Sequence, residues 1–198
     1  MASAVDIAND ALTLLGAGRI IRFADDTTQA KVITQVYEHA VEAVLMAYPW
    51  NSAIKQVELA PLVSEPIYGY TYQYQLPTDP KLLRILSVKS DYKHSKKCTE
   101  WRRMGDKILS DHSSMFLTYI ASIDSSEIDP MLRTVIASYI ASSIAYTLLQ
   151  SNTVQAQMYQ LYQQRLAEAR VANRLETVGH RTYTTQLNDV RGISSRIN

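Results

Sequence analysis

Tyr48-Pro49-Trp50-Asn51 marks the point where the apolar period of the chain changes from about 3.6 residues to about 2. On its amino-terminal side Ile33, Val36, Tyr37, Ala40, Val41, Val44, Leu45 and Tyr48 share one helical face, and Pro49 then removes the next backbone donor. On its carboxyl side Val57 and Leu59 alternate with Gln56 and Glu58. Tyr70, Tyr72, Tyr74 and Leu76 then alternate with Thr71, Gln73 and Gln75, as in a pleated strand with two unlike faces. The four residues read as a joint between a helical arm and a strand-rich middle.

Working outward, Ser3 and Asp6 have the spacing of a capping-box variant, which predicts a helix from about Ala4 to Leu15 ended by Gly16. Asp25, Asp26 and Thr27 offer caps for a second helix over about Thr28 to Tyr48. Beyond the joint, prolines, glycines and the polar cluster Asp111 to Ser114 separate short alternating runs. These predict antiparallel strands near Ala53–Leu59, Tyr70–Leu76, Leu83–Lys89, Cys98–Arg103, Lys107–Ser110 and Met115–Ile120. Asp129-Pro130 reopens a helix, reaching about Gln150, with a small-residue flank of Ala137, Ser138, Ala141, Ser142 and Ala145. After a break at Ser151-Asn152 a fourth helix should fold back as a hairpin. The expected class is α+β. An antiparallel helical bundle (1–51 and 122–176) brackets an antiparallel β-rich domain (52–121), and an extended tail (177–198) follows. That tail reads either as a frayed terminus or as a segment that orders against a partner.

The chain has 198 residues, 46% of them hydrophobic, and a net charge of +1, which argues against nucleic-acid binding over the whole surface. Its single cysteine, Cys98, forms no intramolecular disulfide framework and no CxxC or Cys/His zinc pattern. No apolar run is expected to reach the roughly 20 residues that span a bilayer, and no signal-peptide pattern opens the sequence.

Few residues suggest chemistry. Gly16-Ala17-Gly18 follows a predicted helix and lacks the third glycine of a dinucleotide loop. His39, His94, His112 and His180 have no metal-ligand spacing, and no GxSxG elbow supports a hydrolase. The Asp129 carboxylate can cap the third helix, and Asp124 and Glu127 before it are expected to serve capping and dipole compensation sooner than acid/base catalysis. Tyr68, Tyr70, Tyr72 and Tyr74 could stack on bases, but their neutral neighbours favour a packed sheet face. Lys89, Lys93, Lys96, Lys97, Arg102 and Arg103 are the candidate phosphate or protein contact; a solvated strand edge is the plainer reading. No catalytic residue, cofactor or metal is expected.

Several strings in order carry a family likeness: Ile7-Ala8-Asn9-Asp10-Ala11-Leu12, Leu15-Gly16-Ala17-Gly18, Tyr48-Pro49-Trp50-Asn51-Ser52-Ala53, Tyr72-Gln73-Tyr74-Gln75-Leu76-Pro77-Thr78-Asp79, Trp101 to Gly105, and long terminal helices ending near Ala169-Arg170. Together they cover most of the chain to about Leu175, and in this order the chain resembles the head-to-tail adaptors of short-tailed bacteriophages, the tail tubular protein A family. The resemblance implies a bundle of the phage connector type with an inserted β-rich domain, and a ring of about twelve copies beneath the portal protein. It implies a structural virion protein of the tail, assembled in the host cytoplasm. The ring would continue the channel for double-stranded DNA, anchor the tail tube or nozzle, and help attach fibres or spikes, without a membrane partner. On this reading Tyr48, Pro49 and Trp50 are inter-domain packing residues. Arg181, Leu187, Val190, Arg191, Ile193, Arg196 and Ile197 are the candidate portal-docking residues of the tail, and the basic group at 89–103 is the candidate contact with downstream tail proteins. The alternatives are a nucleic-acid-binding module using residues 89–103 and, behind it, a hydrolase.

Overall fold

The computed structural model describes residues 3–90 and 100–177. Among these residues four helices and six strands follow the order α1 (Ala4–Leu14), α2 (Thr28–Ala47), β1 (Ile54–Leu59), β2 (Tyr72–Gln75), β3 (Leu82–Lys89), β4 (Trp101–Met104), β5 (Lys107–Ser110), β6 (Met115–Ala121), α3 (Pro130–Leu149) and α4 (Asn152–Thr177). All six strands fall between α2 and α3, and the class is mixed α+β.

The local signals act as their chemistry requires. Ser3 and Asp6 form a reciprocal capping box at the start of α1. The helix ends in a Schellman arrangement, with the Ala17 N–H donating to the Leu12 carbonyl at 2.9 Å and the Gly16 N–H to Thr13 at 3.1 Å. Gly16 holds φ +65°, a region costly for a residue with a Cβ, so the Gly-Ala-Gly string is a helix stop. Asn9, 5% exposed, then pins the following loop: its amide donates to the Ile20 carbonyl and accepts from the Ile20 N–H, both at 2.9 Å. Asp129, and neither Asp124 nor Glu127, caps α3, because its carboxylate lies within reach of the Leu132 N–H at 2.8 Å. The Asp129 cap is the one the sequence predicts, whereas the capping expected of Asp124 and Glu127 is corrected. Asp124 makes no side-chain cap, and Glu127 instead pairs with Lys55 at 3.7 Å.

α3 is the hub of the helices, packing against α1, α2 and α4. Its small residues Ala137, Ser138, Ala141, Ser142 and Ala145 are all buried, which lets neighbouring helices approach closely. The Ser138 and Ser142 hydroxyls return to carbonyls of their own helix. Contrary to the expectation from composition, α3 is long and apolar enough to cross a membrane by length and composition; here its apolar side chains form the centre of the helical core. Gln150 takes a left-handed conformation, φ 52°, and α4 returns antiparallel, so that Arg165 reaches the Thr134 carbonyl at 3.2 Å.

The strands form two antiparallel three-stranded sheets, ordered β1-β6-β3 and β2-β5-β4. Met115, Leu117, Tyr119 and Ala121 of β6 join Leu59, Val88, Tyr74 and Ile108 in a core drawn from both sheets. Ile120 points the other way, into the helical core with Ala53 and Trp50. The period-2 pattern of β6 thus gives one strand to two cores. β3 does the same, since Leu82 and Ile85 pack on the inter-sheet core while Leu83 and Leu86 pack on the helical one.

Candidate functional site

The residues 46–51 are bound to two distant elements, β3 and α4. Tyr48 leaves α2 in extended geometry and Pro49 forbids continuation, so the last carbonyls of α2 lack helical partners. α2 has no basic residue in its last turn, and its donors come from elsewhere. Trp50 Nε1 donates to the Val44 carbonyl at 2.9 Å. Arg84 of β3 donates to Met46 at 2.8 Å, and Arg170 of α4 to Ala47 at 3.4 Å. The Arg170 guanidinium also lies 5.6 Å from the Tyr48 ring centre, and that ring meets Trp50 edge-on at 5.1 Å.

The next link is an amide clasp. Asn173 of α4, only 9% exposed, accepts from the Asn51 N–H at 2.9 Å through Oδ1, and its backbone carbonyl accepts from Asn51 Nδ2 at 3.0 Å. Asn173 Nδ2 donates in turn to the Pro49 carbonyl at 3.4 Å. Trp50 is 1% exposed, and the single 3-10 turn Asn51–Ala53 leads from it directly into β1. The joint therefore holds α2, α4, β1 and β3 at one point. Sequence reading singled out Tyr48, Pro49 and Trp50 but missed Arg84, Arg170 and Asn173, whose partners are more than thirty residues away and leave no local pattern.

The described basic candidates are divided between the two sheets. Lys89 lies at the end of β3 in the first sheet, opposite Phe116, whereas Arg102 and Arg103 lie on β4 in the second. Being consecutive strand residues, Arg102 and Arg103 point to opposite faces. Arg103 Nε turns to the Gly105 carbonyl at 3.1 Å. Lys93, Lys96 and Lys97, with Cys98 and His94, lie outside the described residues, as do Arg181, Leu187, Val190, Arg191, Ile193, Arg196, Ile197 and His180.

The tyrosine row is likewise divided. Tyr74 is fully buried and Tyr72 packs on the inter-sheet core, but Tyr70 precedes β2 and Tyr68 is 76% exposed in the preceding loop. Gln73, expected on the polar face, is buried. Its amide donates to the carbonyl and hydroxyl of Ser64, both at 2.7 Å, because Pro61 and Leu62 pair with β2 and bring the loop over it.

The shifted ionisable groups have local structural causes. Hydrogen bonds from Ser3, from the Arg22 and Ile21 backbone, and from Gln75 hold Asp6, Asp25 and Asp106 respectively below the usual carboxylate value. Burial raises Tyr74, Tyr119 and Tyr162, and pushes Tyr37 up to about 12. Among the described residues no group of three or more His, Cys, Asp or Glu side chains is placed to hold a metal. A scan of the chain against protein-family models gives no match, and a search of curated proteins gives no significant one.

Proposed function

We propose that this chain is a structural virion protein, a head-to-tail adaptor of the tail tubular protein A type. Its copies form a ring under the portal, continue the DNA channel and anchor the tail tube or nozzle and fibres. The observation that carries the reading is the ordered set of strings from Ile7 to Arg170. Two of them have an architectural part: Asn9 pins the α1–α2 loop, and Tyr48 to Asn51 tie α2 to α4 at the entrance to β1.

On this reading residues 1–51 and 122–176 are a connector-type bundle, 52–121 an inserted β-rich domain, and 177–198 a tail that orders against the portal. An adaptor needs separate surfaces for its own copies and for unlike neighbours, and a bundle carrying a two-sheet insertion offers them. Placement of Lys89 and Arg102/Arg103 on different sheets weighs against a single phosphate-binding row, which ranks the nucleic-acid reading below the adaptor.

Electron microscopy of the protein, alone and mixed with its cognate portal, tests the proposal. Rings seated beneath the portal are the expected result, and a folded protein that leaves the portal bare removes the reading. Deleting Gly179 to Asn198 should weaken portal binding without unfolding the helices. Undiminished binding by the folded truncation would remove the tail from the docking surface.

A further inference from the structure

From Thr134 through Gln164 no Asp, Glu, Lys, Arg or His occurs, in a chain that is 20% charged. The run covers most of α3, the turn at Gln150, and the first half of α4. Burial explains the absence of charge on the inner side of α3, but not on the exposed surface. There the hairpin presents Tyr146 at 46%, Leu149 at 40% and Tyr159 at 49% exposure, together with hydroxyl and amide side chains. Depletion of charge with exposed tyrosine is the composition of a protein interface core.

Two complementary shapes lie on this uncharged surface. One is a groove between the helices, lined by Tyr139, Ser142 and Ser143 of α3 and by Gln155, Ala156 and Tyr159 of α4. The other is the exposed ridge of Gln157 and Gln160 on a different side of α4, spaced i and i+3; Gln164, a turn further on, turns instead to the Glu168 carboxylate, 3.0 Å from its Nε2. A face carrying ionic groups would have to bury them here against a surface that offers no counter-charge, which is unfavourable. The complement must therefore also be uncharged, and this chain supplies it. A two-fold contact would need only one such side, because each copy presents the same patch. A head-to-tail contact uses two different sides, and both are free of charge.

Taking the ring of the preceding section as given, we propose that its copies meet through these hairpins, the Gln157–Gln160 ridge of one copy seated in the α3–α4 groove of the next. Ridge-into-groove packing of helices provides the geometry. The surface has no cation to hold a phosphate and no charge to steer an ionic partner, and a second copy of this chain is the occupant because it brings a matching uncharged ridge.

Disulfide trapping tests the contact. In a Cys98→Ser background, Ser143→Cys is introduced in one preparation and Gln160→Cys in another; both are oxidised separately and after mixing, free and with the portal. A cross-linked dimer in the mixture and in neither preparation alone is the expected result. Cross-linking of either preparation by itself would mean a two-fold contact and would overturn the proposal. Rings on the portal without cross-linking in the mixture would overturn the hairpin contact while leaving the adaptor reading intact. Cross-linking in the mixture with the portal left bare would uphold the contact and sink the adaptor reading, and absence of both rings and cross-links would sink both.

Discussion

Trp50 combines two roles that a substitution can separate. Its ring fills space in the helical core at 1% exposure, and its Nε1 is the partner of the Val44 carbonyl at the carboxyl end of α2. Trp50→Ala removes both and should cost about 3–5 kcal/mol, the range for large aromatic deletions from a core. Trp50→Phe keeps most of the apolar contact but leaves the carbonyl without its indole donor, and should cost about 1–3 kcal/mol. Urea denaturation of the two variants checks the order, and a Trp50→Phe protein as unstable as Trp50→Ala would show that the hydrogen bond carries the larger share. The importance of this tryptophan was legible in the sequence, because a helix stop and a change of period meet there. The carbonyl it serves was also near in sequence. Arg170 and Asn173 were not legible as its neighbours, since nothing in a helical pattern says which of several exposed polar positions will fold back onto a joint more than 100 residues earlier.

At the scale of elements, all four helices were legible, α1, α2 and α4 by an apolar stripe and α3, buried around most of its circumference, by its Asp129-Pro130 start and its long apolar run. The strands were harder, and their errors share one cause: a strand's neighbours, not its own alternation, decide burial. Gln73 is buried because the Pro61–Ser64 segment crosses it, and Tyr70 is left out of β2 although it continues the alternation. The small-residue flank of α3 is the opposite case, where composition predicted close packing and every one of its members is buried. That packing leaves no room for added volume. Ala141→Leu, at 0% exposure, should destabilise the chain by about 1–3 kcal/mol through overpacking. Ala167→Leu on the exposed side of α4 should stay within about 0.5 kcal/mol of the parent. Comparison of their urea midpoints decides whether α3 is packed to its limit; equal effects would mean that the core can yield around Ala141.

For the whole molecule, the arrangement of two cores raises the question of whether they fold as one unit. Met115–Ile120 was legible in the sequence as a short alternating strand, but not that Ile120 would enter the helical core while Tyr119 and Ala121 enter the inter-sheet one. That sharing, repeated by Leu83 and Leu86 against Leu82 and Ile85 of β3, means that neither core keeps its lining if the first sheet comes apart. The joint adds a second tie, because Arg84 of β3 and Asn173 of α4 both hold the segment leading from α2 into β1. Cooperative, two-state unfolding is therefore expected in spite of the two clusters. The chain carries its own reporters, since Trp50 lies in the helical core and Trp101 packs on the inter-sheet core. In a Trp101→Phe variant, fluorescence follows the helical core; in a Trp50→Phe variant, it follows the sheets. Within each variant the fluorescence transition in urea should coincide with the loss of helical circular dichroism. In the Trp50→Phe protein, sheet fluorescence that changes at a lower urea concentration than the helical signal would mean that the strands between α2 and α3 unfold independently. The shared faces of β3 and β6 would then be contacts between separately stable units instead of the bond that makes them one.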